Sequence, residues 1–136
     1  MKIGFTGTQK GMTKEQKEEF SKYILGVDIT EFHHGDCIGA DEEAHKIVND
    51  AFESVVIITH PPIEDKKRSF VYGVTARKAK PYLERNKDIV NETDMLIACP
   101  KSDKEELRSG TWSTIRYAKM MGKRMIIIYP DGSKGV

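Results

Sequence analysis

The chain has 136 residues, 38% of them hydrophobic and 32% charged, and a formal net charge of +1. That balance describes a folded globular chain and excludes a disordered or membrane-embedded one, since no apolar run approaches the roughly 18–20 residues that cross a bilayer. The length predicts one domain spanning residues 1–136. Met1-Lys2-Ile3-Gly4-Phe5 runs straight into a strand pattern with no signal-peptide character. Cys37 and Cys99 lack the C-x-x-C spacing of a metal or redox pair. Both observations predict a cytoplasmic protein.

Residues 2–6 form a short apolar strand, followed by the loop Thr6-Gly7-Thr8-Gln9-Lys10-Gly11. Thr13-Lys14-Glu15-Gln16 has the capping-box pattern, and Phe20, Tyr23, Ile24 and Val27 recur at helical spacing behind it. Strand, Gly-Thr loop and capped helix open a βαβ unit. The loop is too short for a Walker A motif, lacks its lysine, and is not G-x-G-x-x-G. By pattern alone, Gly7 and Thr8 are a weak nucleotide signal.

Residues 29–34 read as a second strand, leading into Gly35-Asp36-Cys37-Ile38-Gly39-Ala40-Asp41. Gly35 and Gly39 allow close approach of a ligand to the backbone. Asp36 or Asp41 could accept hydrogen bonds from ribose hydroxyls, and Asp41 could also cap the next helix. That helix carries Ala40, Ala44, Ile47, Val48 and Ala51 on one face, with His45 directed toward the loop. His33 and His34 are adjacent, so they face opposite sides of a strand. No H-E-x-x-H or cysteine pair accompanies them, and the expectation is no metal and no resident cofactor.

Residues 54–60 form a third strand whose continuous apolar character predicts burial on both faces. After Pro61-Pro62, residues 61–80 make a long connection, which in a compact domain is usually functional or mobile. Eight basic residues lie between positions 66 and 87 (Arg68 and Arg85 among them) against Glu84 alone, so that segment is +7 and the remainder −6. Such a local field suits an anionic partner, and the interspersed Phe70, Tyr72 and Tyr82 suit stacking on a base. A helix follows from Pro81 to Val90, then a strand at 95–99. Arg108-Ser109-Gly110-Thr111 stands where the next helix begins, at the carboxyl side of that strand. There, free backbone N–H groups and the positive helix end hold anions. A last strand covers 125–129, and residues 131–136 read as a tail.

Strands alternating with helices predict an α/β, three-layer Rossmann-like sandwich with a mostly parallel sheet of about five strands. In such sheets ligands sit at the carboxyl edge, at the switch point of strand order. The loops Thr6–Gly11, Gly35–Asp41 and Arg108–Thr114, with the basic segment, are therefore expected to share one cleft.

Three blocks in order resemble the SLOG superfamily of Rossmann-like nucleotide binders, which includes the DNA-processing A (DprA) and Lonely Guy (LOG) families. Gly35-Asp36-Cys37-Ile38-Gly39-Ala40-Asp41-Glu42-Glu43-Ala44-His45 is similar to the DprA block in which a glycine turn leads to Gly-x-Asp-x-x-Ala-His. Arg85-Asn86-Lys87-Asp88-Ile89-Val90 resembles that family's Arg-Asn-Arg-x-Ile helix. Ser109-Gly110-Thr111-Trp112-Ser113-Thr114 resembles its Ser-Gly-Ser-x-x-Thr helix start. The resemblance implies that Gly35, Gly39, Ser109, Gly110 and Thr111 line a phosphate or ribose site with Arg85 pointing into it, and that the chain is a homo-oligomer.

LOG-type phosphoribohydrolases and nucleoside deoxyribosyltransferases carry a glutamate in Gly-Thr-x-x-Glu, where this chain has Thr114. A threonine cannot act as carboxylate nucleophile or stabilise an oxocarbenium charge. Glu105, Glu106 or Asp36 could substitute only with a rearranged site. The expectation is therefore binding of a small nucleotide or nucleotide-derived signal, as sensor or sequestering protein, a role that some SLOG domains have in bacterial antiviral systems. The alternatives are a LOG-type N-glycosidic hydrolase and a DprA-like accessory that binds single-stranded DNA.

Overall fold

A computed structural model describes residues 1–136. Four helices and seven strands alternate along it. They are β1 (Lys2–Gly7), α1 (Lys14–Leu25), β2 (Glu31–His34), α2 (Ala40–Ala51), β3 (Val56–Thr59), β4 (Thr75–Ala76), α3 (Tyr82–Asn91), β5 (Met95–Cys99), α4 (Gly110–Met120), β6 (Arg124–Ile128) and β7 (Lys134–Gly135). All seven strands join one sheet in the order β4-β3-β2-β1-β5-β6-β7. Every pairing is parallel except that of β6 with β7. No helix is long and apolar enough to cross a membrane.

The sheet thus has seven strands where the pattern predicts about five. The two extra strands are two residues each, one inside the 61–80 connection and one inside the 131–136 segment. Two residues carry no readable alternation, and their pairing is decided by neighbours distant in sequence.

Period-2 alternation sorts the core into two layers. Ile3, Phe5, Phe32, Met95 and Ile97 pack on one face with Phe20 and Ile24 of α1 and Ala44 and Val48 of α2. Leu96, Ala98, Met125 and Ile127 pack on the other with Ile89 of α3 and Ile115 and Ala118 of α4. Helices therefore cover both faces, and the strands between them read as nearly continuous apolar runs.

The capping box forms as the sequence predicts. Thr13 Oγ1 accepts from Gln16 N at 3.0 Å, and Gln16 Oε1 accepts from Thr13 N at 2.9 Å. The same glutamine is fully buried, and its Nε2 donates to Pro100 O at 2.8 Å and Ile128 O at 2.9 Å. One amide thereby caps α1 and ties the carboxyl ends of β5 and β6 together. We expect Gln16→Leu to lower stability by about 2 kcal/mol, because it strands buried carbonyls without a donor. Urea unfolding should show a lower midpoint with an unchanged slope.

Candidate functional site

The strand order reverses between β1 and β5, so the loops leaving those strands diverge and open a crevice at the carboxyl edge. A cleft of about 600 Å³ lies there. The end of β1 and the loop after it contribute Gly7 and Thr8, the loop after β2 contributes Gly35 and Cys37, and Asp41 comes from the first turn of α2. Arg85 and Tyr82 come from α3, and Arg108, Ser109, Gly110 and Thr111 from the start of α4.

On the β5 side, Ser109 is the N-cap of α4, its Oγ accepting from Trp112 N at 3.2 Å. The N–H groups of Gly110 and Thr111 have no partner within the chain. They face the cleft beside the cationic side chains of Lys101 and Arg108. A Cβ built on Gly110 would meet nothing within 4 Å, so the space before this helix start is open. Free N–H groups, a helix dipole and nearby cations form an anion site.

The β2 side is built around Arg85, which is only 5% exposed. Its Nη1 donates to Gly35 O at 2.6 Å and His60 O at 2.9 Å, its Nη2 to Cys37 Sγ at 3.2 Å and its Nε to Asn86 Oδ1 at 2.6 Å. Gly35 is glycine for this reason: a Cβ there would stand 2.4 Å from Arg85 Nη1. Arg85 lines the cleft, but four of its five N–H groups are committed to the protein. It builds the wall and adds charge, leaving one donor for a ligand.

Asp41 does not cap α2. The N-cap is Gly39, at φ +87°, with no side-chain cap bond. Asp41 Oδ2 instead accepts from Gly35 N at 3.1 Å and Cys37 N at 3.2 Å, bracing the loop against Arg85. Its Oδ1 has no partner and remains open to the cleft. Burial raises the Asp41 carboxyl to about 6, against the lowering pull of Arg85 and the two N–H donors. Burial also raises the Cys37 thiol, so it is not a ready thiolate nucleophile at neutral pH.

Asp36, Gly39, Arg68 and Thr114 do not line the cleft. Asp36 is 1% exposed, its Oδ2 accepting from Arg68 Nε at 2.8 Å and its Oδ1 from Val71 N at 3.1 Å, so it holds the 61–80 connection and is shut away from the cleft. Arg68 also stacks on Phe70, 4.4 Å from the ring centroid. Gly39 makes a packing contact, since a Cβ there would lie 2.2 Å from Gln9 O. Thr114 Oγ1 donates back to Gly110 O at 2.9 Å.

Three of the eight basic residues of the 66–87 segment are paired with carboxylates, Arg68 with Asp36 among them. Arg77 pairs with Glu92 and Lys80 with Asp88. Lys66 and Lys67 do line the cleft, and of the three aromatics only Tyr82 does. Lys10, Lys101 and Glu106 line it too; the sequence marks neither lysine as a ligand contact and offers Glu106 only as one of three carboxylates, with Glu105 and Asp36, that could substitute in a rearranged site. Glu106 Oε1 is shielded and unpartnered, while Oε2 lies 3.5 Å from Lys101 Nζ.

His33 and His34 face opposite ways, as strand geometry predicts, and each finds another histidine. His33 Nδ1 lies 2.8 Å from His60 Nε2, and His34 Nε2 lies 3.1 Å from His45 Nδ1. Burial is the leading cause that lowers all four rings, His60 to about 3.

No protein-family model matches the chain, and no curated protein matches it. Two solved structures share the fold. The molybdenum cofactor binding protein from the phototrophic bacterium Rippkaea orientalis is 19% identical, with a TM-score of 0.69 over 94% of this chain and 76% of that one. The X-ray structure of TM1055, a structural genomics target, is 16% identical, with a TM-score of 0.67 over 91% of this chain and 71% of that one. At these identities the likeness shows the Rossmann-type α/β fold.

The pH dependence of stability separates Asp41 from the histidines. Below the ordinary histidine range of about 6.5 the unfolded chain takes up protons that the buried rings refuse, so acid destabilises the fold. Asp41 works the other way: between pH 3.8 and about 6 the fold holds a proton that the unfolded chain has released. Its offset is worth at most about 3 kcal/mol. Asp41→Asn should therefore make the loss of thermal midpoint from pH 7 to 4.5 steeper. An equal or shallower slope would count against a buried, protonatable Asp41.

Proposed function

We propose that the chain binds a small phosphorylated nucleotide, or a signal derived from one, in the cleft between the β1, β2 and β5 loops. The observation that carries this reading is the unpartnered N–H pair of Gly110 and Thr111 opening into a cleft lined by Lys10, Lys66, Lys67, Lys101 and Arg108. Phosphate oxygens are the ligands that such donors and charges fit. Tyr82 offers a ring face for a base, and Asp41 Oδ1 offers an acceptor for a sugar hydroxyl. The resemblance of the three sequence blocks to the SLOG superfamily supports the same ligand class, in a sensing or sequestering role. A molybdenum cofactor binding protein with the same fold supports a small-ligand role for this architecture.

The test is calorimetry with AMP, ADP, ADP-ribose, NAD and cyclic nucleotides, with a single-stranded oligonucleotide as the contrasting arm. We expect micromolar binding of at least one mononucleotide-sized ligand. Gly110→Ala should weaken it at least tenfold by filling the open space, while leaving the fold as stable or slightly more so, because alanine suits a helix better than glycine. Binding of the oligonucleotide alone would overturn the reading.

Glu106 favours a second reading, hydrolysis of an N-glycosidic bond. It places a carboxylate in the cleft although Thr114 occupies the position where LOG-type enzymes have theirs. The bond from C1′ to the base nitrogen would break, water would add to C1′, and a water proton would pass to the leaving base, with Glu106 stabilising the developing positive charge. Chromatography of nucleoside monophosphates and NAD after incubation tests this. Turnover abolished by Glu106→Gln supports it, whereas intact ligands after saturating binding leave the binding role alone.

A further inference from the structure

Away from the cleft, His33, His60 and Glu92 meet on the α3 side of the sheet, and one ligand atom from each lies within 4.8 Å of the others. Hydrogen-bond bookkeeping exposes a gap. His33 Nε2 lies 2.9 Å from Glu31 Oε1, a carboxylate oxygen that can only accept, so the proton of His33 sits on Nε2. His33 Nδ1 is then a bare electron pair, and the 2.8 Å contact to His60 Nε2 requires the proton of His60 to sit there. That leaves His60 Nδ1 bare, facing Glu92 Oε2 at 4.0 Å. Two electron-pair donors face each other with no proton between them, at a separation too long for a hydrogen bond.

We propose that His33, His60 and Glu92 form a binding site for one divalent transition-metal ion of the zinc type. Two imidazoles and a carboxylate are a borderline donor set that suits such an ion and leaves a fourth position for water. Zinc–nitrogen bonds of about 2.0–2.1 Å put tetrahedral ligand atoms about 3.3 Å apart. The ion takes His33 Nδ1 and His60 Nε2, which at 2.8 Å are already closer than that, while the bare His60 Nδ1 receives the displaced proton, so Glu92 makes the main adjustment. Its side chain is 35% exposed at the carboxyl end of α3, free to close from the solvent side. Arg77 orients that carboxylate, with Nη2 at 2.8 Å and Nε at 3.0 Å both on Oε1, and leaves Oε2 for the ion. On uptake, the proton now shared by the rings moves to the ring nitrogen that the ion leaves free.

The site joins β2, the end of β3 and α3. Because His60 O also accepts from Arg85 Nη1, a bound ion stiffens the wall of the cleft. Calorimetry with zinc chloride, together with the visible absorption of a cobalt(II) complex, tests the site. We expect one ion per chain, affinity at least tenfold weaker in Glu92→Gln, and no change in His45→Asn, which alters the other histidine pair. Glu92→Gln is decisive because the half-exposed helix end tolerates it, whereas His60→Asn risks the fold. No uptake at 100 μM zinc, uptake indifferent to Glu92→Gln, or uptake lost in His45→Asn would each overturn the proposal.

Discussion

The buried guanidinium of Arg85 is the interaction on which the cleft depends. It comes from α3, in one helical layer, and binds carbonyl oxygens at the ends of β2 and β3. Without it, the buried carbonyls of Gly35 and His60 would lose their side-chain donor. A buried charge costs several kcal/mol unless it is paired and fully hydrogen-bonded. Here the compensation is local: Asp41 lies across Gly35, and its own burial cost is partly offset by Arg85 and by two backbone donors. Removing one partner leaves the other charge stranded, so the wall behaves as a unit.

That wall explains a division of labour between the sides of the cleft. On the β2 side the polar groups have largely satisfied one another, and only isolated atoms such as Asp41 Oδ1 remain open. On the β5 side the geometry leaves donors unsatisfied, because the first N–H groups of a helix have no carbonyl behind them. Ser109 caps one of them, that of Trp112, and the others face the cleft. The free hydrogen-bonding capacity therefore lies where an anion would sit, and the rigid, self-satisfied side supplies shape. Pre-organisation of this kind lowers the cost of ordering groups on binding.

How much of this was legible in the sequence follows from how local each interaction is. The capping box of Thr13 and Gln16 lies within four residues and is read directly, as are the strand at 95–99 and the start of α4. The second duty of Gln16, holding Pro100 and Ile128, links positions 84 and 112 residues away and leaves no periodic trace. The acidic residues show the same limit. Asp36 and Asp41 flank one glycine turn and look equally suited to a ribose, yet Asp36 is taken by Arg68, 32 residues on, while Asp41 keeps an oxygen free. Glu106 illustrates the converse: nothing in a charged loop marks which carboxylate turns inward.

The histidines show why such pairings matter beyond bookkeeping. Strand alternation assigns His33 and His34 to opposite faces, and burial then forces each ring to find a partner without charging. His34 solves this cleanly. Asp36 N donates to its Nδ1, so its Nε2 proton points at His45 Nδ1, and His45 carries its own proton on Nε2. His33 cannot, because Glu31 fixes its proton at the outer nitrogen and passes the deficit on to His60. Two pairs of the same residue type, on the two faces of one strand, therefore end differently. One completes its hydrogen-bond chain, and the other ends on a bare Nδ1 opposite a carboxylate, a vacancy for the proton that an ion would displace from Nε2 of the same ring.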